Sequence, residues 1–271
     1  MMSRHGGWER HFRGKRVWVT GASSGIGEAI ADALGQAGVR TLVSARRDDR
    51  LAELAARHES VAVLPLDLSR LDAIEEAVSA AWDLLGGVDM LINNAGISQR
   101  STFVETDPAA LERIIQIDLL ATMRLTHAVA ARMSRQRSGH LVAITSVVVR
   151  VPAPLRSAYA AAKAGLHGLF DALRGELEPR GIAVSLVLPG FVRTEISRHA
   201  LSETGEERGV MDPNQEGGHS AASCARQILN GLARRRREFL VATSPRLRVA
   251  MLLRRWAPWL LWRILAKVSV T

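Results

Sequence analysis

The sequence holds one cysteine in 271 residues, Cys224, so no disulfide can form within the chain and a reducing, cytoplasmic setting is expected. Aromatic residues make up only 4%, and the body of the chain lacks the stacking platforms that nucleic-acid binding would use, so no nucleic-acid partner is expected. The eight histidines are scattered without metal-ligand spacing, which argues against a bound metal. The opening stretch MMSRHGGWERHFRGKR has no apolar run that could serve as a signal peptide. Low-complexity tracts and internal repeats are absent too. What remains is 47% hydrophobic, enough for a sizeable core in one α/β domain.

Strand and helix patterns alternate along that domain. Strands are expected at 16–20, 40–44, 61–65, 89–93, 139–145, 182–188 and 238–242. Helices are expected at 25–37, 48–58, 69–86, 107–134, 157–178 and 219–233. Such alternation implies a single doubly wound parallel sheet, and right-handed crossovers suggest the Rossmann order 3-2-1-4-5-6-7.

Two motifs carry chemistry. In VWVTGASSGIGEAIADALGQAG a strand gives way to a glycine turn and then a helix. Gly21 permits the turn, Gly25 lets the backbone approach a phosphate, and Gly27 lets the helix pack near the strand. Amides around Ser23, Ser24 and Ile26, with the positive end of the helix dipole, would receive a pyrophosphate. Downstream, Tyr159 and Lys163 lie four residues apart, one helical turn, so phenol and ammonium share a face. A lysine beside a tyrosine favours the tyrosinate, which suits proton transfer near neutral pH. Ser146, thirteen residues before the tyrosine, can hold the same substrate oxygen.

TGASSGIG at 20–27, NNAG at 93–96, Ser146 with YAAAK at 159–163, and PGFVRT at 189–194 together resemble the short-chain dehydrogenase/reductase family, over about residues 13–242. The resemblance implies a dinucleotide cofactor and catalysis by Ser146, Tyr159 and Lys163. Asp67 and Leu68 would contact adenine, and Asn93, Ala95 and Gly96 would line the cofactor, or NNAG would contribute mainly by stabilising the sheet. Pro189, Gly190, Val192 and Thr194 would flank the nicotinamide end, while Tyr159 and Lys163 also reach its ribose. After the second strand, Arg46 and Arg47 stand where an NAD enzyme would place a carboxylate. A guanidinium there favours a 2′-phosphate, so NADP(H) is expected, with Arg46 the leading contact and Arg47 its helper; two solvated arginines are the bland alternative. The fourth catalytic position, an asparagine in the family, is Asp118 here, and a buried carboxylate near Lys163 could form an ion pair. Residues 195–218 correspond to the family's substrate lid, or are an ordinary surface insertion.

The formal charge is +9. Much of the excess falls in the carboxy-terminal part, where RLRVAMLLRRWAPWLLWRILAKVSV mixes arginines with Trp256, Trp259 and Trp262. The uncharged stretch Trp256 to Trp262 is far short of the roughly 20 residues that span a bilayer. Three readings stand for this tail: an anchor at an anionic membrane interface, a dimer-interface or lid element, or core packing. Pro258 should divide it into two short helices. The expected organisation is a catalytic domain over 1–245 and an extension over 246–271.

The expected function is NADP(H)-dependent interconversion of a lipophilic ketone or aldehyde with its alcohol, in a homo-oligomer at the cytoplasmic side of a membrane. The alternatives are a cofactor-binding scaffold with little catalysis, and an epimerase or dehydratase on the same fold.

Overall fold

In the computed structural model, which describes residues 7–267, a short helix α1 (Glu9–Phe12) precedes strand β1 (Arg16–Thr20). Then come α2 (Gly25–Gln36), β2 (Arg40–Ser44), α3 (Asp48–Ala56), β3 (Val61–Val63), α4 (Ile74–Leu85) and β4 (Met90–Asn93). A long rod follows, α5 (Pro108–Ile115) and α6 (Thr122–Gln136), joined by a π-helical segment at Gln116–Ala121. The second half begins with β5 (Gly139–Ile144), α7 (Ser157–Leu177), β6 (Ile182–Pro189) and β7 (Val192–Arg193). It continues through α8 (Pro213–Glu216), β8 (His219–Ser220), α9 (Ala221–Ala233) and β9 (Glu238–Val241). Helices α10 (Pro245–Trp256) and α11 (Pro258–Lys267) close the described chain, divided at Pro258 as expected. The ends of the amino-terminal stretch and of the tail, 1–6 and 268–271, lie outside the described residues.

The strands pair in parallel in the order β3-β2-β1-β4-β5-β6-β9. This is the expected Rossmann order; the seventh strand is β9 because β7 and β8 pair separately. The strands are apolar on both faces, as a sheet covered on both sides requires. Alternate residues of β1 divide between two cores: Trp18 joins Leu91, Leu141 and Phe170, whereas Val17 and Val19 join Ile30, Val43 and Leu229. Helices α4, α6 and α7 therefore cover one face, and α2 and α9 the other.

Four elements differ from expectation. The helix expected over 69–86 becomes α-helical only at Ile74, after a 3-10 turn at Leu71–Ala73. The strand expected at 61–65 ends at Val63, because Pro65 has no N–H to extend the ladder; Leu64 and Leu66 instead donate singly to Val43 and Ala45. The helix expected from 219 begins at Ala221, since Ser220 caps it through Oγ, which accepts from Ser223 N at 3.2 Å. The rod expected as one helix over 107–134 is interrupted by the π segment, whose wider turn carries Asp118. The rod, Pro108–Gln136, is also long and apolar enough to cross a membrane by composition, but more than half of its most apolar stretch is buried within the protein, as in a core helix.

Candidate active site

Where the carboxyl ends of the central strands meet the following loops, a cavity of about 1290 Å³ opens. This is where doubly wound sheets place ligands. Its first wall is the glycine turn. Gly21 has a φ of +67°, and a Cβ there would stand 2.7 Å from Ala95 Cα, so the turn can press against the β4 loop only as glycine. Thr20 Oγ1 accepts from the backbone N–H groups of Asn94 and Ala95 at 3.1 and 3.2 Å. Asn94 Nδ2 donates to Thr20 O at 3.0 Å and Gly21 O at 3.2 Å. The turn is thus held open by a neighbouring strand end, leaving a cradle at the start of α2.

Arg47 is built into that cradle. Its Nη2 donates to Ser24 Oγ at 2.8 Å and Ser23 Oγ at 3.1 Å. Arg46 is exposed at the rim of the same cavity. The sequence favoured Arg46 over Arg47, whereas the geometry fixes Arg47 and leaves Arg46 free to approach. Asp67, whose Oδ1 accepts from Ser69 N at 2.9 Å, and Leu68 line the cavity, as do Ala95 and Gly96. Asn93 does not line it. Its amide is turned inward, donating to Thr126 Oγ1 at 3.2 Å and Val142 O at 3.3 Å, so it stitches β4 to β5 and α6. Gly27 is also set back, packed against Gly21 O beneath the loop. Pro189, Gly190, Val192 and Thr194 border the cavity from the β6 side.

Deeper in stand Ser146, Tyr159 and Lys163. Ser146 follows β5, and its Oγ accepts from Val148 N at 3.2 Å, which leaves its own proton to donate. Tyr159, the only tyrosine in the chain, lies in the first turn of α7. The start of α7 is pinned by Gln99, a fully buried residue whose Oε1 accepts from Ala158 N at 3.0 Å. Lys163 Nζ lies 5.6 Å from the Tyr159 ring centroid.

Asp118 completes the line: its Oδ2 is 3.1 Å from Lys163 Nζ, and its Oδ1 accepts from Ile97 N at 2.7 Å. The lysine contact is charge against charge rather than a well-directed hydrogen bond. Burial lowers Lys163, but Asp118 and then Tyr159 outweigh it and hold the ammonium above the ordinary lysine value. Burial pushes Asp118 upward, against the opposing pull of Lys163 and the Ile97 N–H. One direction favours an ion pair and the other a neutral acid. The geometry decides for the pair, since both carboxyl oxygens face donors.

The segment 195–218 folds onto the cavity, to which Ile196, His199, Glu207 and Asp212 contribute. Leu201 bridges to Gln99, and Asp212 is held between Arg100 and Arg156. The tail also reaches the cavity through Leu247, Ala250, Ile264 and Leu265. Gln99, Arg100, Arg156 and Asp212 were not marked by sequence motifs, and only their convergence in space reveals them. Elsewhere, His167, Asp171 and Glu238 come within ligating distance of one another. Arg150 Nη2 already meets Glu238 at 2.5 Å and Arg174 Nη1 meets Asp171 at 2.7 Å, the pattern of an ion-pair network.

A family profile described as short chain dehydrogenase matches residues 15–205. The chain is 36% identical over 266 residues to the dehydrogenase/reductase SDR family member 7B of Bos taurus, covering 94% of this chain and 82% of that one. A short-chain dehydrogenase from Sphingobium yanoikuyae, solved in complex with NADPH, is 32% identical, with a TM-score of 0.74 over 94% of this chain and 96% of its own. A short-chain dehydrogenase/reductase from Burkholderia phymatum, solved with NAD, shares the fold at 23% identity and a TM-score of 0.81, covering 92% of this chain and 96% of its own. The chain belongs to the short-chain dehydrogenase family. It is an oxidoreductase of that family, whose fold binds a nicotinamide dinucleotide and acts on small molecules.

Proposed function

We propose that the protein uses NADP(H) to interconvert a lipophilic ketone or aldehyde with its alcohol. The observation that carries this reading is the buried Asp118–Lys163–Tyr159 line opening on the same cavity as Ser146 and the glycine cradle. The cradle fits a dinucleotide, because its glycine positions have no room for a side chain and its serines are already braced by a guanidinium. When bound, the nicotinamide supplies or accepts the hydride at C4.

The chain's own residues handle the oxygen and the proton. Ser146 Oγ donates to the substrate oxygen while its lone pair is satisfied by Val148 N. Tyr159 passes its proton to that oxygen, or takes one from it. Lys163 favours negative charge on the phenol oxygen, and Asp118 keeps the ammonium charged and still. Arg47, from the cradle, and Arg46, from the rim, bind the 2′-phosphate. Asp67 and Leu68 border the adenine, and Pro189, Gly190, Val192 and Thr194 the nicotinamide end. Asn93 serves the cofactor only by bracing β4. The relative solved with NADPH supports this cofactor preference.

The catalytic domain is 1–245, with 195–218 as the substrate lid and 246–271 as an appended element. The exposed Trp256, Trp259 and Trp262 face arginines: Arg255 stands 5.3 Å from the Trp256 ring, Arg263 5.8 Å from Trp259 and Arg254 4.6 Å from Trp262. Such paired aromatic and cationic groups suit an anionic membrane interface at the cytoplasmic side. Leu247, buried in the core beneath the sheet, docks the element on the domain, with Met251 packed against the same core. Exposed Leu120 and Met123 on the long rod favour a homo-oligomer. The test is hydride transfer from NADPH and NADH across steroid, fatty and aromatic carbonyls. Turnover with NADPH is expected; tight NADPH binding with no carbonyl reduced would favour the scaffold reading.

A further inference from the structure

Within the cavity wall, two guanidiniums converge on one carboxylate oxygen. Arg100 Nη1 stands 3.2 Å and Arg156 Nη2 3.1 Å from Asp212 Oδ2. The three come from separate parts of the chain: the loop after β4, the cap of α7 and the segment over the cavity. The Asp212 side chain is only 2% exposed and the two arginines are largely covered, at 22% and 14%. One carboxylate among two guanidiniums leaves a surplus positive charge in a poorly hydrated wall. An uncompensated buried charge is costly, and a guanidinium has five donors to spend. Burial pulls the Arg100 guanidinium below its ordinary value against the pull of Asp212, and the like charge of Arg156 adds to the effect.

The surplus charge has neighbours of a particular kind. Arg156 precedes Tyr159 by three residues, about one helical turn. Val151, Leu155, Leu247 and Ile264 line the same cavity. Of the covering segment's acids that line the cavity, the other one, Glu207, is engaged by His199 Nδ1 at 2.5 Å.

We infer that Arg100 and Arg156 form an oxyanion subsite, so that the substrate joins an apolar body to a carboxylate or phosphate head. This rests on the proposed carbonyl chemistry at Tyr159 for the other end of the substrate. In the free protein Asp212 holds the two arginines together and fastens the covering segment; a bound head group shares them. Carboxylate and phosphate both match the planar guanidinium fork, and a neutral alcohol or ester does not.

The test is calorimetric titration of decanoate, decyl phosphate and decan-1-ol into the full chain with NADPH present. At least one anion should bind about 10-fold or more tightly than the alcohol, the range of a charge-assisted bond. Arg100→Met should remove that preference and leave the alcohol unchanged. Because Arg156→Met alone leaves Asp212 short of a partner, Arg156→Met with Asp212→Asn is the second variant, and it should lose the preference as well. Equal affinity for alcohol and anions in the native chain, or a preference that survives both variants, overturns the subsite. Turnover of 9-oxodecanoate is the separate arm. If decanoate binds through the arginines but the oxo acid is not reduced, the reaction reading fails and the subsite stands.

Discussion

Asp118 Oδ2 lies 3.1 Å from Lys163 Nζ, with both side chains buried inside the protein. The sequence resemblance implies an asparagine at this position, and we propose that an ionic brace here takes the place of a neutral one. Removing one partner of a buried pair strands the other charge, at a typical cost of about 3–5 kcal/mol.

The pair sets a pH dependence. Lys163 is raised in the folded state, so its stabilising contribution is complete below the ordinary lysine value and is lost as pH rises through the folded value. Without the carboxylate, burial remains as the leading cause on Lys163 and acts downward. In Asp118→Asn the part of the alkaline loss of stability that Lys163 causes should therefore be smaller than in the native chain. Thermal unfolding of both from neutral to alkaline pH checks this, and identical alkaline limbs would contradict it.

Gly96 leaves room for the pair. A Cβ there would stand 2.8 Å from Asp118 Oδ2 and 2.9 Å from Lys163 Nζ. Gly96→Ala should cost about 1–3 kcal/mol, the range for overpacking, and should slow turnover by moving Lys163. Urea denaturation and steady-state rates measure the two effects; a variant equal to native in both would show that the pair tolerates a wedge.

Replacing Arg46 by Asp with Arg47→Ala should move preference from NADPH toward NADH. About 1.5–3 kcal/mol is at stake, or roughly 10- to 150-fold in affinity. Arg47→Ala alone should also loosen the glycine loop, since it removes the bonds to Ser23 and Ser24. Competitive binding of both cofactors reads the shift. Equal binding of the two by the native chain contradicts the assignment.

For the tail, substitution is cleaner than deletion, because Leu247, Ile264 and Leu265 help to wall the cavity. Changing the exposed Trp256 and Trp259 to Ser should weaken flotation with anionic vesicles and leave NADPH binding intact. High salt should weaken the native interaction, since charges exposed at the surface are screened within about 8 Å at physiological ionic strength. Native protein that never floats with anionic vesicles would defeat the membrane assignment.

Much of this was legible in the sequence because it rests on local rules. The order of the sheet follows from alternation and crossover handedness, and the cradle from glycines placed between a strand and a helix. Pro258 divides the tail as a residue without an N–H should. The π segment was not legible. Gln116–Ala121 contains neither glycine nor proline, and what it meets is remote in sequence: it packs against α7, and Asp118 accepts from Ile97 N in the β4 loop. For Asn93 in NNAG the sequence offers both a cofactor contact and a sheet brace, and only its amide, facing Thr126 and Val142, which are remote in sequence, selects the brace. The Arg100–Asp212–Arg156 cluster was hidden for the same reason, since no spacing along the chain brings those three positions together.

The most direct test of the account is NADPH consumption by the native chain and by Tyr159→Phe, with a carbonyl the native chain reduces. The variant should keep NADPH affinity and lose at least about 100-fold in turnover, the low end for removal of a general acid/base. Tyr159→Phe turning over that carbonyl at the native rate would contradict the mechanism outright.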